Sequence, residues 1–176
     1  SFLETSLSAH RSPESGGMTG PLLDALVPFA ALGSAVLAGI YFIFSVSVMP
    51  ALAKRPEAEA MAAMREINKT IQNPAFFAVF FGTPVASAIV AGIALFDGRG
   101  LPVAHLVAGG GLALIGGFLV TLVFNVPLNN ALEASEPGTK GAAEVWKRYL
   151  AVWTVWNHIR AVASLAAAAA FLMALG

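Results

Sequence analysis

The sequence predicts an all-α integral membrane protein, a four-helix bundle whose two long connections contain amphipathic cytoplasmic helices. Hydrophobic residues make up 57% of the 176 residues and charged residues only 11%, whereas soluble domains have about 25% charged residues. Four apolar stretches each approach the ~20 residues that a helix needs to cross a bilayer core. The net charge is zero, so nothing indicates a nucleic-acid partner.

The segment before the bundle is expected to contribute nothing to the fold. Residues 1–20 are predicted to be a disordered tail or an expression-tag remnant, and residues 21–176 a single domain. The first residues, SFLETSLSAHRSPESGG, are polar and lack the apolar core of a secretory signal, and Met18 is a candidate native start. The chain has no cysteine, which excludes disulfides, thiolate catalysis and cysteine-ligated metal sites.

Each of the four spans is apolar on every side, which amphipathic helices of soluble proteins are not. Pro74 falls in the first turn of the second span, where proline is tolerated, and Pro84 is expected to kink that helix. Pro127 is expected to end the third span. The predicted spans are residues 22–48, 74–96, 103–125 and 150–175.

The two long connections, 49–73 and 126–149, lie on the same side of the membrane because two spans separate them. Each contains an amphipathic helix pattern, at 57–72 and at 141–150. They also carry most of the basic residues: Lys54, Arg55, Arg65, Lys69, Lys140, Lys147 and Arg148. The positive-inside rule therefore predicts a multi-pass protein of the cytoplasmic membrane, with these connections in the cytoplasm and both termini outside.

Polar and aromatic residues of all four spans are predicted to converge at one depth, near the cytoplasmic end. An apolar pocket with a few placed polar groups is typical of a ligand site, and this one would open toward the cytoplasm. Arg160 has no acidic residue at the centre of any span. A charge in hydrocarbon costs several kcal/mol unless it is paired or reaches the interface. Arg160 therefore extends to the interface, pairs with Glu66, Glu133 or Glu144 from the connections, or favours an anionic or strongly polarised ligand.

Less specific roles compete with this prediction. His158 has a side chain suited to a general base near neutral pH, but it could equally make an interhelical hydrogen bond. The tryptophans could form an interfacial belt, and the asparagines could join helices. The phenylalanines of the second span are more typical of packing. No metal site is predicted, because His105 and His10 lie far from His158 along the bundle and carboxylates do not cluster.

Four short stretches follow one another in the order seen in a known family: FSVSVMPAL, REINKTIQNPAF, FNVPLNNAL and W–WN–IR at 153–160. Over residues 22–172 the chain thereby resembles the anthrone oxygenase family, small four-span membrane proteins of which many have no known function. The resemblance implies that some members convert anthrones to anthraquinones with O2 in aromatic polyketide pathways. It places the family's site on Asn68, Asn125, Asn129, Trp153, Asn157 and Arg160.

The predicted pocket suits that chemistry. An anthrone is flat, which matches aromatic walls, and its central methylene is acidic for a carbon acid. Its anion can react with O2 directly, so we expect a cofactor-independent monooxygenase with O2 as co-substrate. The catalytic hypothesis assigns the oxyanion to Asn157 and Arg160, with Asn125 and Asn129 as further donors. It assigns the proton to His158 or to a water held by the amides. The predicted substrate-binding residues are Tyr41, Asn68, Gln72, Asn125, Asn129, Trp153 and Trp156.

The alternative function is non-enzymatic: the bundle would bind a quinone, a membrane lipid or another apolar molecule, or act as an accessory subunit. A stripe of small residues on the third span, Gly109, Ala113 and Gly117, allows a neighbouring helix to approach closely. That neighbour is either another helix of the same chain or the partner in a homo-oligomer.

Overall fold

The computed structural model describes residues 19–97 and 100–176, and every regular element in this part of the chain is a helix. Four of the helices are long and apolar enough to cross a membrane, as expected of an integral membrane protein, and they form the predicted all-α bundle. The helices are α1 (Thr19–Leu52), α2 (Glu57–Thr70), α3 (Pro74–Phe96), α4 (Val103–Ala134) and α5 (Lys140–Met173).

The predicted bounds of the second span are those of α3. The other three membrane-spanning helices are longer than predicted. α1 begins at Thr19, inside the predicted tail, and the rest of that tail lies outside the described residues. α5 begins at Lys140, so the amphipathic segment 141–150 is the first part of the fourth span and not a separate helix. Thr139 starts α5 by accepting a hydrogen bond from the Ala142 N–H at 3.1 Å.

The prediction that Pro127 ends the third span is wrong, because α4 continues to Ala134. A π-helical turn, Thr121–Asn125, precedes the proline, and there the Val126 N–H donates to the Thr121 carbonyl five residues back. The wider turn accommodates a ring that would otherwise clash with the carbonyl four residues back. α1 repeats the arrangement with the π turn Phe44–Val48 before Pro50.

Small residues bring the helices together in the half of the bundle away from the long connections. A Cβ on Gly109 would lie 2.9 Å from the Phe171 ring, and one on Gly117 would lie 3.3 Å from Ser164 Oγ. Ala113 belongs to the buried core between these helices. The small-residue stripe of α4 thus packs within the chain, against α5.

Gly110 provides a test of this packing. A Cβ there would lie 2.6 Å from Ala91 Cβ and 3.0 Å from the Ser87 carbonyl oxygen of α3, and neither atom can move away cheaply. We expect Gly110→Ala to lower the free energy of unfolding by about 1–3 kcal/mol, measured as the loss of helix signal on denaturation in detergent. Gly111→Ala is the matched control, since nothing lies within 4 Å of its Cβ. Equal stability of the two variants would contradict the packing.

Both long connections meet at one end of the bundle, here called the connection end. α2 lies across it with Met61 and Met64 fully buried. Arg65 donates from Nε to the Leu132 carbonyl at 3.0 Å and from Nη2 to the Ser135 carbonyl. α2 is therefore fixed to the last turns of α4.

Candidate intramembrane ligand site

A cavity of about 290 Å³ lies inside the bundle at the connection end, bounded by α1, α3, α4 and α5 and by the last residues of α2. This volume is at the lower end of the range of small-molecule sites, about 300–1,000 Å³. Its aromatic lining residues are Tyr41, Phe44, Phe76, Phe77, Phe80, Phe81 and Trp153. Its polar lining residues are Asn68, Gln72, Thr121, Asn129, Asn130, Asn157 and Arg160.

Asn157 joins α5 to α1 at the inner wall of this cavity. Its side-chain Nδ2 donates to the Tyr41 carbonyl at 2.6 Å and to Ser45 Oγ at 2.7 Å. Its Oδ1 accepts a hydrogen bond from Arg160 Nη2 at 2.5 Å. The residue is fully buried, so both ends of its amide are paired, and the amide fixes one edge of the guanidinium.

Arg160 presents a positive charge to the cavity. It is 5% exposed, its Nη1 donates to Thr121 Oγ1 at 3.1 Å, and its Nε has no partner. The guanidinium carbon lies 4.2 Å from the centroid of the Tyr41 ring and 5.3 Å from that of Trp153, within the range of cation–π attraction. Within residues 19–97 and 100–176 one salt bridge is present, between Lys69 and Glu133. No carboxylate in this part of the chain therefore pairs with Arg160.

Two further asparagines support the aromatic wall. Asn125 is buried, and its Nδ2 donates to the Trp153 carbonyl at 3.2 Å. Asn129 Oδ1 accepts from the Tyr149 hydroxyl at 2.7 Å, and the Tyr149 and Trp153 rings stack with centroids 5.3 Å apart. These contacts hold the Trp153 ring between Tyr149 and the guanidinium.

The cavity brings together most of the predicted site residues. Those that line it are Tyr41, Asn68, Gln72, Asn129, Trp153, Asn157 and Arg160. Asn125 lies behind the wall, where it is hydrogen-bonded to the Trp153 carbonyl. Trp156 stacks on Phe124 with centroids 3.6 Å apart, away from the cavity lining.

His158 is also outside the lining, and its side chain is exposed. It follows Asn157 directly, and successive residues of an α-helix point about 100° apart. Because Asn157 faces inward, His158 faces outward. The position of His158 therefore gives no support to its predicted role as the base.

The sequence prediction missed several lining residues. Thr121 lies four residues after Gly117 and four before Asn125, and this spacing could have identified it as a lining residue. Asn130 lines the cavity together with Asn129, although an ideal α-helix would separate them by about 100°. The phenylalanines of α3, assigned to packing, form one wall. Phe76 and Phe80 stack there with centroids 5.4 Å apart.

No group of three His, Cys, Asp or Glu side chains that could hold a metal ion occurs within residues 19–97 and 100–176. The absence of a metal site stays a prediction from the sequence. The side-chain groups of the lining residues are amides, the hydroxyls of Tyr41 and Thr121, a guanidinium and aromatic rings. These groups suit a flat, polarised organic molecule.

The fold and the cavity define a class: small helical membrane proteins with an aromatic-walled site inside the bundle. Within that class the chain belongs to the anthrone oxygenase family, whose profile matches residues 76–170, more than half of the chain. The match confirms the resemblance and covers α3, α4 and most of α5, including FNVPLNNAL and W–WN–IR. FSVSVMPAL and almost all of REINKTIQNPAF precede it. No curated protein and no solved structure gives a significant match.

Proposed function

We propose that this protein is a membrane-embedded oxygenase of the anthrone oxygenase type, which oxidises a flat, anthrone-like substrate with O2 in the cavity. One observation carries the proposal: the Arg160 guanidinium, without a described carboxylate partner, forms the wall of an aromatic cavity beside Asn157. A buried cation in this environment stabilises an anion more strongly than water does. Family membership supports the reaction class.

The first step is loss of a proton from the central methylene of the substrate. The electron pair left behind delocalises through the rings onto the carbonyl oxygen, which becomes the oxyanion. Arg160 binds this oxygen and lowers the free energy of the anion, and Trp153 and Phe80 hold the rings. Since the described lining contains no carboxylate or imidazole, the proton passes to water at the polar edge of the cavity near Gln72 and Asn130.

The second step consumes O2 at the deprotonated carbon. A carbon–oxygen bond forms, and protonation gives a hydroperoxide on the substrate. The remaining hydrogen on that carbon and the terminal hydroxyl then leave as water, the oxygen–oxygen bond breaks, and a second carbonyl results. The substrate supplies four electrons to O2, so the proposed reaction balances without a cofactor. In this proposal the connection end faces the cytoplasm and both termini face out.

The test is O2 uptake by purified protein in detergent with anthrone, with anthraquinone identified by its absorption spectrum. Heat-treated protein measures the spontaneous oxidation, which must be subtracted because anthrones oxidise slowly in air. We expect O2 and anthraquinone in equal amounts, well above that background. Folded protein that binds anthrone and gives only the background rate would refute the proposal.

The described lining offers no carboxylate or imidazole as a base, which favours a second candidate function, a binding protein for a quinone or a related flat molecule. The guanidinium would then hold a quinone carbonyl and not a developing oxyanion. Anthraquinone binding, followed by quenching of tryptophan fluorescence, is expected under both functions. Turnover of anthrone is expected only for the oxygenase.

A further inference from the structure

The exposed residues of the cavity lining lie on one side of the bundle. Phe77 and Phe81 of α3 are 38% and 48% exposed, and Leu122 of α4 is 42% exposed, although all three line the cavity. On the opposite wall, Tyr41 is 3% and Asn157 0% exposed. The cavity therefore has a mouth between α3 and α4 and a closed wall formed by α1 and α5.

α3 and α4 pack closely only over part of their length. Gly110 of α4 lies against Ala91 and Ser87 of α3, and the contacts between the two helices run along residues 103–119 of α4. Beyond that segment α4 packs against α5 and α2 instead. The mouth is the gap that remains between the first turns of α3 and the residues of α4 from Leu122 onward.

Access from the end of the bundle is restricted by α2. Its buried methionines and the hydrogen bonds of Arg65 to Leu132 and Ser135 hold it across the connection end. The Gln72 side chain, just after α2, donates to the Asn68 carbonyl at 2.8 Å and lies at the edge of the cavity. That the pocket opens toward the cytoplasm stays a prediction.

We infer that the gap between Phe81 and Leu122 is a lateral entrance, through which the substrate passes from the bilayer into the cavity. Exposed apolar side chains on a membrane-spanning helix face lipid tails. The two ends of the mouth differ, with Gln72 and Asn130 at the polar end and Phe81 and Leu122 at the apolar end. This polarity matches a flat amphiphile that dissolves in the bilayer with its oxygen near the interface. The inference rests on the proposed function for the identity of the substrate.

The experiment measures how fast anthraquinone, added to vesicles that contain the protein, quenches tryptophan fluorescence. Leu122→Phe fills the mouth without adding a tryptophan. Leu119→Phe is the matched control, because Leu119 is 45% exposed on the same helix and does not line the cavity. We expect the association rate constant to fall about tenfold or more for Leu122→Phe and to change less than about twofold for Leu119→Phe.

A second measurement covers the case in which Leu122→Phe does not fold. The chain has no cysteine, so Phe81→Cys and Val85→Cys each introduce one thiol on α3, the second outside the lining. A bilayer-soluble maleimide should label both slowly, because apolar surroundings suppress the reactive thiolate, and anthraquinone should slow labelling further only at Phe81→Cys. Equal association rates for the two phenylalanine variants, or no protection at Phe81→Cys, would overturn the lateral entrance.

The entrance and the enzymatic function can fail separately. A slower association in Leu122→Phe together with no turnover by the wild-type protein would support the entrance and refute the oxygenase. Turnover by the wild-type protein with unchanged association in Leu122→Phe would refute the entrance alone. A wild-type protein that binds no anthraquinone would overturn both.

Discussion

Replacing Arg160 by methionine should remove turnover and leave the fold intact. Methionine fills a similar volume without a charge, so the proposed oxyanion loses its main partner. Loss of one such donor typically costs about 10²–10³-fold in rate, and we expect kcat/KM for anthrone to fall by at least that factor. Kinetics of O2 uptake and a thermal melt in the same detergent measure both effects.

The stability of Arg160→Met distinguishes a functional charge from a structural one. In the wild-type protein the guanidinium is buried with Nε unpaired and no described carboxylate, which costs free energy in an apolar environment. Its removal leaves Asn157 Oδ1 without a donor, a cost of about 1–3 kcal/mol. Since these effects oppose each other, we expect the melting temperature to change little. A large drop, with activity lost in proportion to unfolded protein, would make Arg160 structural.

Arg160→Lys is the control for charge alone. Lysine keeps the positive charge but lacks the planar fork that donates to Asn157 and Thr121 together. We expect activity between those of wild type and Arg160→Met. Activity equal to that of wild type in both variants would contradict the assignment of the oxyanion to Arg160.

The second large effect is expected for Asn157→Asp, which places a carboxylate where the amide contacts Arg160. The new ion pair neutralises the charge that the proposed mechanism uses, so turnover should fall about 10²-fold or more. The carboxylate introduced by this substitution also cancels the positive potential that attracts an anionic ligand. Activity assays at saturating anthrone, with anthraquinone binding as a second readout, measure this loss.

Asn157→Leu separates the charge effect from the interhelical hydrogen bonds. It leaves the Tyr41 carbonyl and Ser45 Oγ without their donor, and such bonds in membranes average about 0.6 kcal/mol with a maximum near 1.7. We expect this variant to be less stable than wild type but to keep an unneutralised Arg160, and so to keep more activity than Asn157→Asp. Activity of Asn157→Asp equal to or above that of Asn157→Leu would contradict the neutralisation of Arg160, because both variants lack the Nδ2 donor.

The span pattern and the depth of the polar residues could be read from the sequence, because both depend on local periodicity and on the cost of polar groups in lipid. The inward direction of Asn157 and Arg160 followed from their three-residue spacing. The same helical geometry, about 100° per residue, also places His158, next to Asn157, on the outward side. The base was assigned by chemistry, and helix geometry did not support it.

Other features depended on tertiary structure that the sequence does not display. By the rule for α-helices, Pro127 predicts a helix end. A π turn before it lets the Val126 N–H donate to the Thr121 carbonyl, and the helix continues. The sideways mouth depends on where α3 and α4 separate. Phe81 therefore could not be distinguished from a packing residue.

The unequal packing along α4 also has a mechanical consequence. Glycine and alanine hold the helices within side-chain contact around Gly110 and Gly116, where any relative displacement meets a hard steric barrier. Around Thr121 and Leu122 the helix borders a cavity, so bending there displaces fewer packed side chains and costs less. α4 is thus stiff at the glycine contacts and again at its last turns, which Arg65 of α2 holds, and thermal motion should concentrate in the segment between them, where it would change the width of the cavity.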